Sequence, residues 1–97
     1  MENPYLLKLR QMLLEALKGE QVRIVLFGSR TKPNPRPGAD VDIGIIPKGR
    51  WNSSKLTLLR EKLENSNIPY KVDLVDLDQT SKTFQKQALK EFVIWKN

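Results

Sequence analysis

The chain has 97 residues, of which 39% are apolar and 29% are charged, and its formal net charge at pH 7 is +6. This length predicts one small domain over residues 1–97 with one modest hydrophobic core, and the apolar periodicity excludes a disordered chain. No segment approaches the roughly 20 apolar residues that cross a membrane, and the first residues lack signal-peptide character. We therefore expect a cytoplasmic protein that does not act at a membrane.

The excess of basic residues raises the question of nucleic-acid binding, because clustered Lys and Arg neutralise phosphates. Most of these residues are spread over every predicted element and alternate with Glu, which is typical of solvated helix faces. The exception is a group made of Arg30, Lys32 and Arg36, which directly follows Gly28-Ser29. We therefore expect no nucleic-acid partner and assign this group to a triphosphate.

The first half of the chain predicts a helix followed by two strands. Asn3 and Pro4 are typical of a helix start, and leucines at helical spacing follow them. The apolar, β-branched segment Val22–Phe27 predicts a strand that is buried on both faces. Residues 40–46 predict a second strand, which Pro47 ends.

The second half predicts a helix, a strand and a helix. Ser53 or Ser54 can cap the first of these helices, residues 70–77 form the strand, and Asp78, Thr80 or Ser81 can cap the last helix. Residues 92–95 fit either the last turn of that helix or a short edge strand. The predicted fold class is α/β (α+β), with a small mixed β-sheet flanked by helices.

Two carboxylates are predicted to lie side by side at the start of the second strand. The side-chain period of two places Asp40 and Asp42 on one face, while Val41 points into the core. Two like charges this close raise each other's pKa unless a cation lies between them. Because the chain has no His and no Cys, the donors are oxygens, which suit Mg²⁺ or Mn²⁺.

Gly28, Ser29 and a third carboxylate extend this pattern. A glycine directly after a buried strand lets the backbone approach a ligand, and the Ser29 hydroxyl can bind phosphate oxygens. Asp73 lies in the third strand with apolar neighbours, whereas strand alternation turns Asp76 to the opposite face; we expect Asp76 and Asp78 to shape the turn and cap the last helix. Three carboxylates beside a phosphate site can hold two metal ions and support nucleotidyl transfer.

These motifs resemble a known signature. The segment Phe27-Gly28-Ser29-Arg30, a ten-residue spacer from 30 to 39, residues 40–43 and residues 72–77 resemble the DNA polymerase β-like nucleotidyltransferase superfamily. More narrowly, they resemble its minimal nucleotidyltransferases, which are often encoded beside a helical HEPN-domain partner. The resemblance covers nearly the whole chain and implies the polymerase β-like nucleotidyltransferase core.

The resemblance also implies roles for the acidic residues. Asp40 and Asp42 would bind two metal ions, expected to be Mg²⁺, with Mn²⁺ as the alternative. Asp73 would complete this metal site and help to deprotonate the hydroxyl that accepts the nucleotide. All three would therefore be catalytic residues and metal ligands.

For the nucleotide, the resemblance implies that Gly28 and Ser29 contact the triphosphate and that Arg30 clamps it. The implied reaction is transfer of AMP from ATP to a macromolecular hydroxyl, with a tyrosine of a HEPN toxin as the leading acceptor. The protein would then be the antitoxin of a toxin–antitoxin pair.

One departure from the family pattern leaves alternatives open. The spacer contains Pro33, Pro35 and Pro37 where many relatives have glycine and small residues, and we expect it to lack the short helix that relatives form there. The alternatives are a catalytically weak or inactive antitoxin that acts by binding its partner, or a nucleic-acid-binding domain.

Overall fold

The structure, a computed structural model, describes residues 3–32 and 38–97. Within these ranges it contains, in chain order, α1 (Pro4–Ala16), β1 (Val22–Phe27), β2 (Val41–Pro47), α2 (Lys55–Glu64), β3 (Val72–Asp76), α3 (Lys82–Ala88) and β4 (Phe92–Lys96). Short 3₁₀ turns follow β1 and β3. The predicted order is confirmed, and the segment 92–95 proves to be a strand. Among the helices in the described ranges, none is both long and apolar enough to cross a membrane.

The strands within these ranges form a mixed sheet in the order β3-β2-β1-β4, as the predicted fold class requires. β1 pairs antiparallel with β2 and with β4, whereas β2 and β3 are parallel. Two parallel neighbours need a crossover connection, and α2 provides it. The strands that carry Asp42 and Asp73 are therefore direct neighbours.

The two faces of the sheet have different partners. On one face, Ile24 and Ile43 pack with Leu9 and Leu13 of α1 and with leucines of α2 in the larger hydrophobic cluster. On the other face, a smaller cluster joins β1 to the segment after β3; its buried members are Val25, Phe27, Leu77 and Ala88. Phe27 and Asp42 are register partners, so the smaller cluster lies beside the acidic residues.

Local capping agrees with the sequence in part. The Asn3 side chain accepts hydrogen bonds from the backbone amides of Tyr5 and Leu6, as predicted for α1. Ser54 occupies the N-cap position of α2, as predicted, but its side chain makes no capping hydrogen bond. The last helix is capped by Ser81, whose hydroxyl accepts from the Phe84 amide at 3.1 Å.

Asp76 has the turn role predicted for it. Its carboxylate accepts a hydrogen bond from the Asp78 amide at 3.0 Å and so caps the 3₁₀ turn Leu77–Gln79. Asp78 lies inside that turn and does not cap α3, because Ser81 has that position. Asp76 is therefore engaged away from the face on which Asp73 lies.

Replacing Gly44 by Ala is expected to destabilise the fold through overpacking. A Cβ at this position in β2 would lie 2.7 Å from Leu77 Cδ1 and 3.0 Å from Val25 Cγ2. We expect a loss of about 1–3 kcal/mol in the free energy of unfolding, measured by urea denaturation. In the matched double variant Gly44→Ala/Leu77→Ala, the loss should be smaller than the sum of the two single losses. Strict additivity would contradict the packing of Leu77 on Gly44.

Candidate active site

Asp42 and Asp73 lie side by side on neighbouring strands. They are register partners in the parallel pair of β2 and β3, and adjacent strands are about 4.8 Å apart. Residues paired in this way project to the same face of the sheet, here the face of Phe27. The structure therefore brings together two of the three predicted carboxylates through backbone pairing alone.

The carboxyl group of Asp42 is held in an unfavourable environment. Burial raises its pKa above the ordinary value, and the negative charges of Asp73 and Asp40 raise it further, while the positive charge of Lys71 lowers it. The neighbouring negative charges would favour a bound cation here, since a positive ion removes the repulsion between the carboxylates. Asp42 is thus the centre of the acidic group.

Asp40 lies one residue before β2 and is exposed, so its position is not set by strand pairing. Its charge nevertheless acts on Asp42. Among residues 3–32 and 38–97, no three acidic side chains converge closely enough to form a ready-made metal cage. The available donors still fit a hard divalent ion, because they are all oxygens and their charges repel one another.

Gly28 brings the end of β1 against the same carboxylate. Its φ of +79° lies in the left-handed region, and a Cβ added to it would overlap Oδ2 of Asp42. The 3₁₀ turn Gly28–Thr31 begins here and leaves Ser29 exposed. The Thr31 hydroxyl donates to the Gly28 carbonyl at 2.7 Å and holds the turn closed.

Two cavities flank these residues. One of about 600 Å³ is lined in part by Asp42, Asp73, Tyr70 and Lys71. A second cavity of about 360 Å³ is lined by the Gly28-Ser29 turn together with, among others, Lys32, Gln87 and Lys90. Cavities of this size accommodate small ligands.

Three residues that line these cavities were not predicted from the sequence: Lys71, Gln87 and Lys90. Lys71 directly precedes the third strand, so its closeness to the motif could have been noticed. Gln87 and Lys90 follow from the fold alone, because the end of α3 returns next to Gly28 and Ser29 only after the sheet has formed.

The predicted basic group is only partly described. Arg30 directs its guanidinium at the backbone of Ala39, with Nε at 3.1 Å and Nη2 at 2.7 Å from the carbonyl oxygen. Lys32 lies 4.0 Å from the Glu91 carboxylate, and both side chains are largely exposed, so this ion pair contributes little stability. Arg36 lies outside the described residues, as does the proline-containing segment 33–37; the described part of the spacer begins with the 3₁₀ turn.

The Gly-Ser turn and the carboxylates on two adjacent strands lie within a stretch that matches a known protein family. A family model described as "Polymerase beta, Nucleotidyltransferase" matches residues 11–97. The chain belongs to this nucleotidyltransferase family. The family resemblance inferred from the sequence is therefore confirmed.

One relative of this nucleotidyltransferase is a Haemophilus influenzae protein named "Probable protein adenylyltransferase MntA". The two sequences are 32% identical over 68 residues, which are 70% of this chain and 60% of the relative. The chain thus spans about 60% of the length of that relative.

Solved structures share the fold of this nucleotidyltransferase. One matching chain comes from the structure of a tri-AMPylated Shewanella oneidensis HEPN toxin in complex with MNT antitoxin. The match has a TM-score of 0.67 and 24% identity, and it covers 98% of this chain and 71% of the matching chain. A toxin–antitoxin structure with AMP-PNP matches with the same TM-score and identity over 89% of this chain and 71% of that one. These similarities confirm the predicted fold.

Proposed function

We propose that this nucleotidyltransferase transfers AMP from ATP to a hydroxyl group of a protein partner and serves as the antitoxin of a HEPN-domain toxin. The observation that carries the proposal is the pairing of Asp42 with Asp73 directly beside Gly28. A phosphate-binding turn against two carboxylates provides the two parts that transfer of a nucleotide needs, a place for the triphosphate and a negatively charged place for the acceptor hydroxyl.

The proposed reaction is an in-line displacement at the α-phosphorus of ATP. The acceptor oxygen forms a bond to this phosphorus, the bond from the phosphorus to the bridging oxygen breaks, and pyrophosphate leaves. The hydroxyl proton passes to the carboxylate of Asp73, and AMP stays on the acceptor oxygen. Positioning of the two reactants can account for roughly 7–11 kcal/mol of such a barrier.

Asp40, Asp42 and Asp73 are the residues that would hold Mg²⁺ ions, two by analogy with the family, with Mn²⁺ as the alternative. Such ions supply positive charge that offsets the charge of the triphosphate. Gly28 and Ser29 would contact the triphosphate, and Lys90, in the cavity that they line, adds a cation there. The sequence also predicts Arg30 as a nucleotide ligand, but its hydrogen bonds to the Ala39 carbonyl allow a structural role instead.

The support for a protein acceptor comes from similar proteins. One relative is named an adenylyltransferase, and one structure with this fold is a complex of an MNT antitoxin with an AMPylated HEPN toxin. ATP is favoured as the donor because another complex contains AMP-PNP. A tyrosine acceptor and a cytoplasmic location stay predictions from the sequence.

Intact-mass spectrometry tests the proposal. The purified protein is incubated with Mg²⁺, ATP and the HEPN-domain protein expected to be encoded beside it. We expect the partner to gain one or more AMP units, to stay unmodified when EDTA removes the metal, and to carry the modification on tyrosine in peptide maps. An unmodified partner whose activity is still suppressed at stoichiometric ratio would contradict transfer and favour inhibition by binding alone.

A further inference from the structure

The side chain of Arg30 is engaged inside the protein. Its Nε and Nη2 both donate to the Ala39 carbonyl, at 3.1 and 2.7 Å. The same guanidinium lies over the ring of Tyr70, with Cζ 4.2 Å from the ring centroid, which is within the range of a cation–π contact. The Arg30 side chain therefore connects the Gly-Ser turn to Ala39, which precedes Asp40, and to Tyr70, which lies two residues before β3.

Tyr70 is itself fixed from a third part of the chain. Its hydroxyl accepts a hydrogen bond from Nδ2 of Asn3 at 2.7 Å, and the ring of Tyr5 meets it edge to face at 6.0 Å between centroids. Asn3 also caps α1, because its Oδ1 accepts a hydrogen bond from the Tyr5 amide. The Tyr70 ring, over which Arg30 lies, is therefore held in place by the start of α1.

Asp40 is the predicted ligand that most needs such support. Asp42 and Asp73 are placed by strand pairing, whereas Asp40 stands before the strand and is exposed. Two carboxylates this close in the chain also repel each other when no cation lies between them. The backbone next to Asp40 is held from two sides, by Arg30 at Ala39 and by the bond from the Val41 amide to the Lys71 carbonyl at 2.9 Å.

We propose that Arg30 is a positioning residue, held over Tyr70, which fixes the Ala39 carbonyl and thereby keeps Asp40 beside Asp42. The catalytic consequence rests on the proposed function; the effect on the backbone does not. A fork on one carbonyl with its face on an aromatic ring requires the planar guanidinium, which Lys cannot replace. A phosphate ligand would not depend on Tyr70 or act in the nucleotide-free protein, so Tyr70 variants and measurements without nucleotide separate the two roles.

Amide hydrogen exchange in the nucleotide-free protein is the first measurement, because it does not depend on activity. We expect Arg30→Lys and Tyr70→Leu each to accelerate exchange of the Val41 amide, which donates to the Lys71 carbonyl, since both remove the anchor of this backbone. Arg60→Lys is the matched control: Arg60 also donates to a backbone carbonyl, that of Leu74 at 2.8 Å, and its replacement should leave exchange of the Val41 amide unchanged. Tyr70→Phe keeps the ring and should have a smaller effect than Tyr70→Leu.

AMP transfer is the second measurement. Arg30→Lys and Tyr70→Leu should each lower AMP transfer about 10- to 100-fold, the range for groups that orient metal ligands, and should change the KM for ATP to a similar extent as each other, because both act through Asp40. Because both act through one contact, the double variant should be no slower than the slower single variant. If Tyr70→Leu leaves AMP transfer unchanged while the Arg30 variants raise the KM for ATP, the inference is overturned and Arg30 is a phosphate ligand.

The two readouts also separate this inference from the proposed function. Accelerated exchange in the Arg30 and Tyr70 variants supports the anchoring role even if the wild-type protein transfers no AMP, an outcome that would overturn only the proposed function. Unchanged exchange in both variants would overturn the anchoring role whatever the activity. Arg30→Lys keeps the length and charge of the side chain and is expected to fold, so the test does not depend on the more disruptive Tyr70→Leu.

Discussion

Replacing Asp42 by Asn is expected to abolish AMP transfer and Mg²⁺-dependent ATP binding while raising the melting temperature of the metal-free protein. The variant removes the charge at the centre of the acidic group, so it loses several kcal/mol of transition-state stabilisation, on the order of 10³-fold in rate. It also removes a carboxylate that burial and the charges of Asp73 and Asp40 make unfavourable. Calorimetry with Mg-ATP and thermal unfolding with EDTA measure both effects.

The pH dependence of stability follows from the same carboxyl group. The pKa of Asp42 is raised in the folded state, so the folded protein binds the proton more tightly than the unfolded chain does. Its contribution to stability is fully present below the unfolded pKa and is lost as the pH rises through the folded pKa. The metal-free wild type should therefore lose stability over this pH interval, and Asp42→Asn should remove that part of the loss.

Asp76→Asn is the matched control for Asp42→Asn. Asp76 is an aspartate near the end of β3 whose side chain accepts from the Asp78 amide, and an asparagine oxygen can accept the same bond. This variant should bind Mg-ATP and transfer AMP like the wild type. If Asp42→Asn binds Mg-ATP as tightly as the wild type does, or if Asp76→Asn loses binding instead, the assignment of the acidic site is wrong.

Replacing Gly28 by Ala is expected to cost both stability and activity, for two separable reasons. An L-residue in the left-handed conformation that Gly28 adopts costs about 1–2 kcal/mol. In addition, the new Cβ would overlap Oδ2 of Asp42 and force the carboxylate to move. A displacement of about 1 Å can reduce the rate about 10²-fold, so AMP transfer should fall by at least this factor.

Gly19→Ala provides the comparison that separates these two costs. Gly19 has a φ of +83°, close to that of Gly28, but a Cβ there would meet nothing within 4 Å. Gly19→Ala should therefore lose only the stability that the backbone conformation costs, whereas Gly28→Ala should lose at least as much stability in urea denaturation and, in addition, activity and metal-dependent ATP binding. Equal activity losses in the two variants would show that strain in the backbone, and not contact with Asp42, links Gly28 to function.

Several features could be predicted from the sequence because they depend on residues close together in the chain. The cap formed by Asn3, the bounds of β1 and the opposite directions of Asp73 and Asp76 follow from local hydrogen bonding and from the period of two in a strand. The Gly-Ser and Asp-x-Asp motifs at their spacing were also sufficient to indicate the family. The structure agrees with the predicted cap and strand, and the matching family model confirms the family.

Other features were decided only by the tertiary structure. The segment Phe92–Lys96 fits a helix end or a strand equally well by local pattern, and only its antiparallel pairing with β1 makes it a strand. The cap of α3 had three candidates, and the path of the chain through the 3₁₀ turn selected Ser81. In both cases the local preferences are nearly balanced, so longer-range contacts determine the outcome.

The acidic site divides in the same way. The sequence by itself determined which side chains can bind a cation, because that is a property of residue type and strand alternation. Only the tertiary structure decided that Asp73 stands in register with Asp42, that Asp40 lies outside the strand, and that Arg30 contacts Ala39 and Tyr70. These contacts join residues far apart in the chain, and they form only when helix packing brings the strands into one sheet, so no local pattern in the sequence records them.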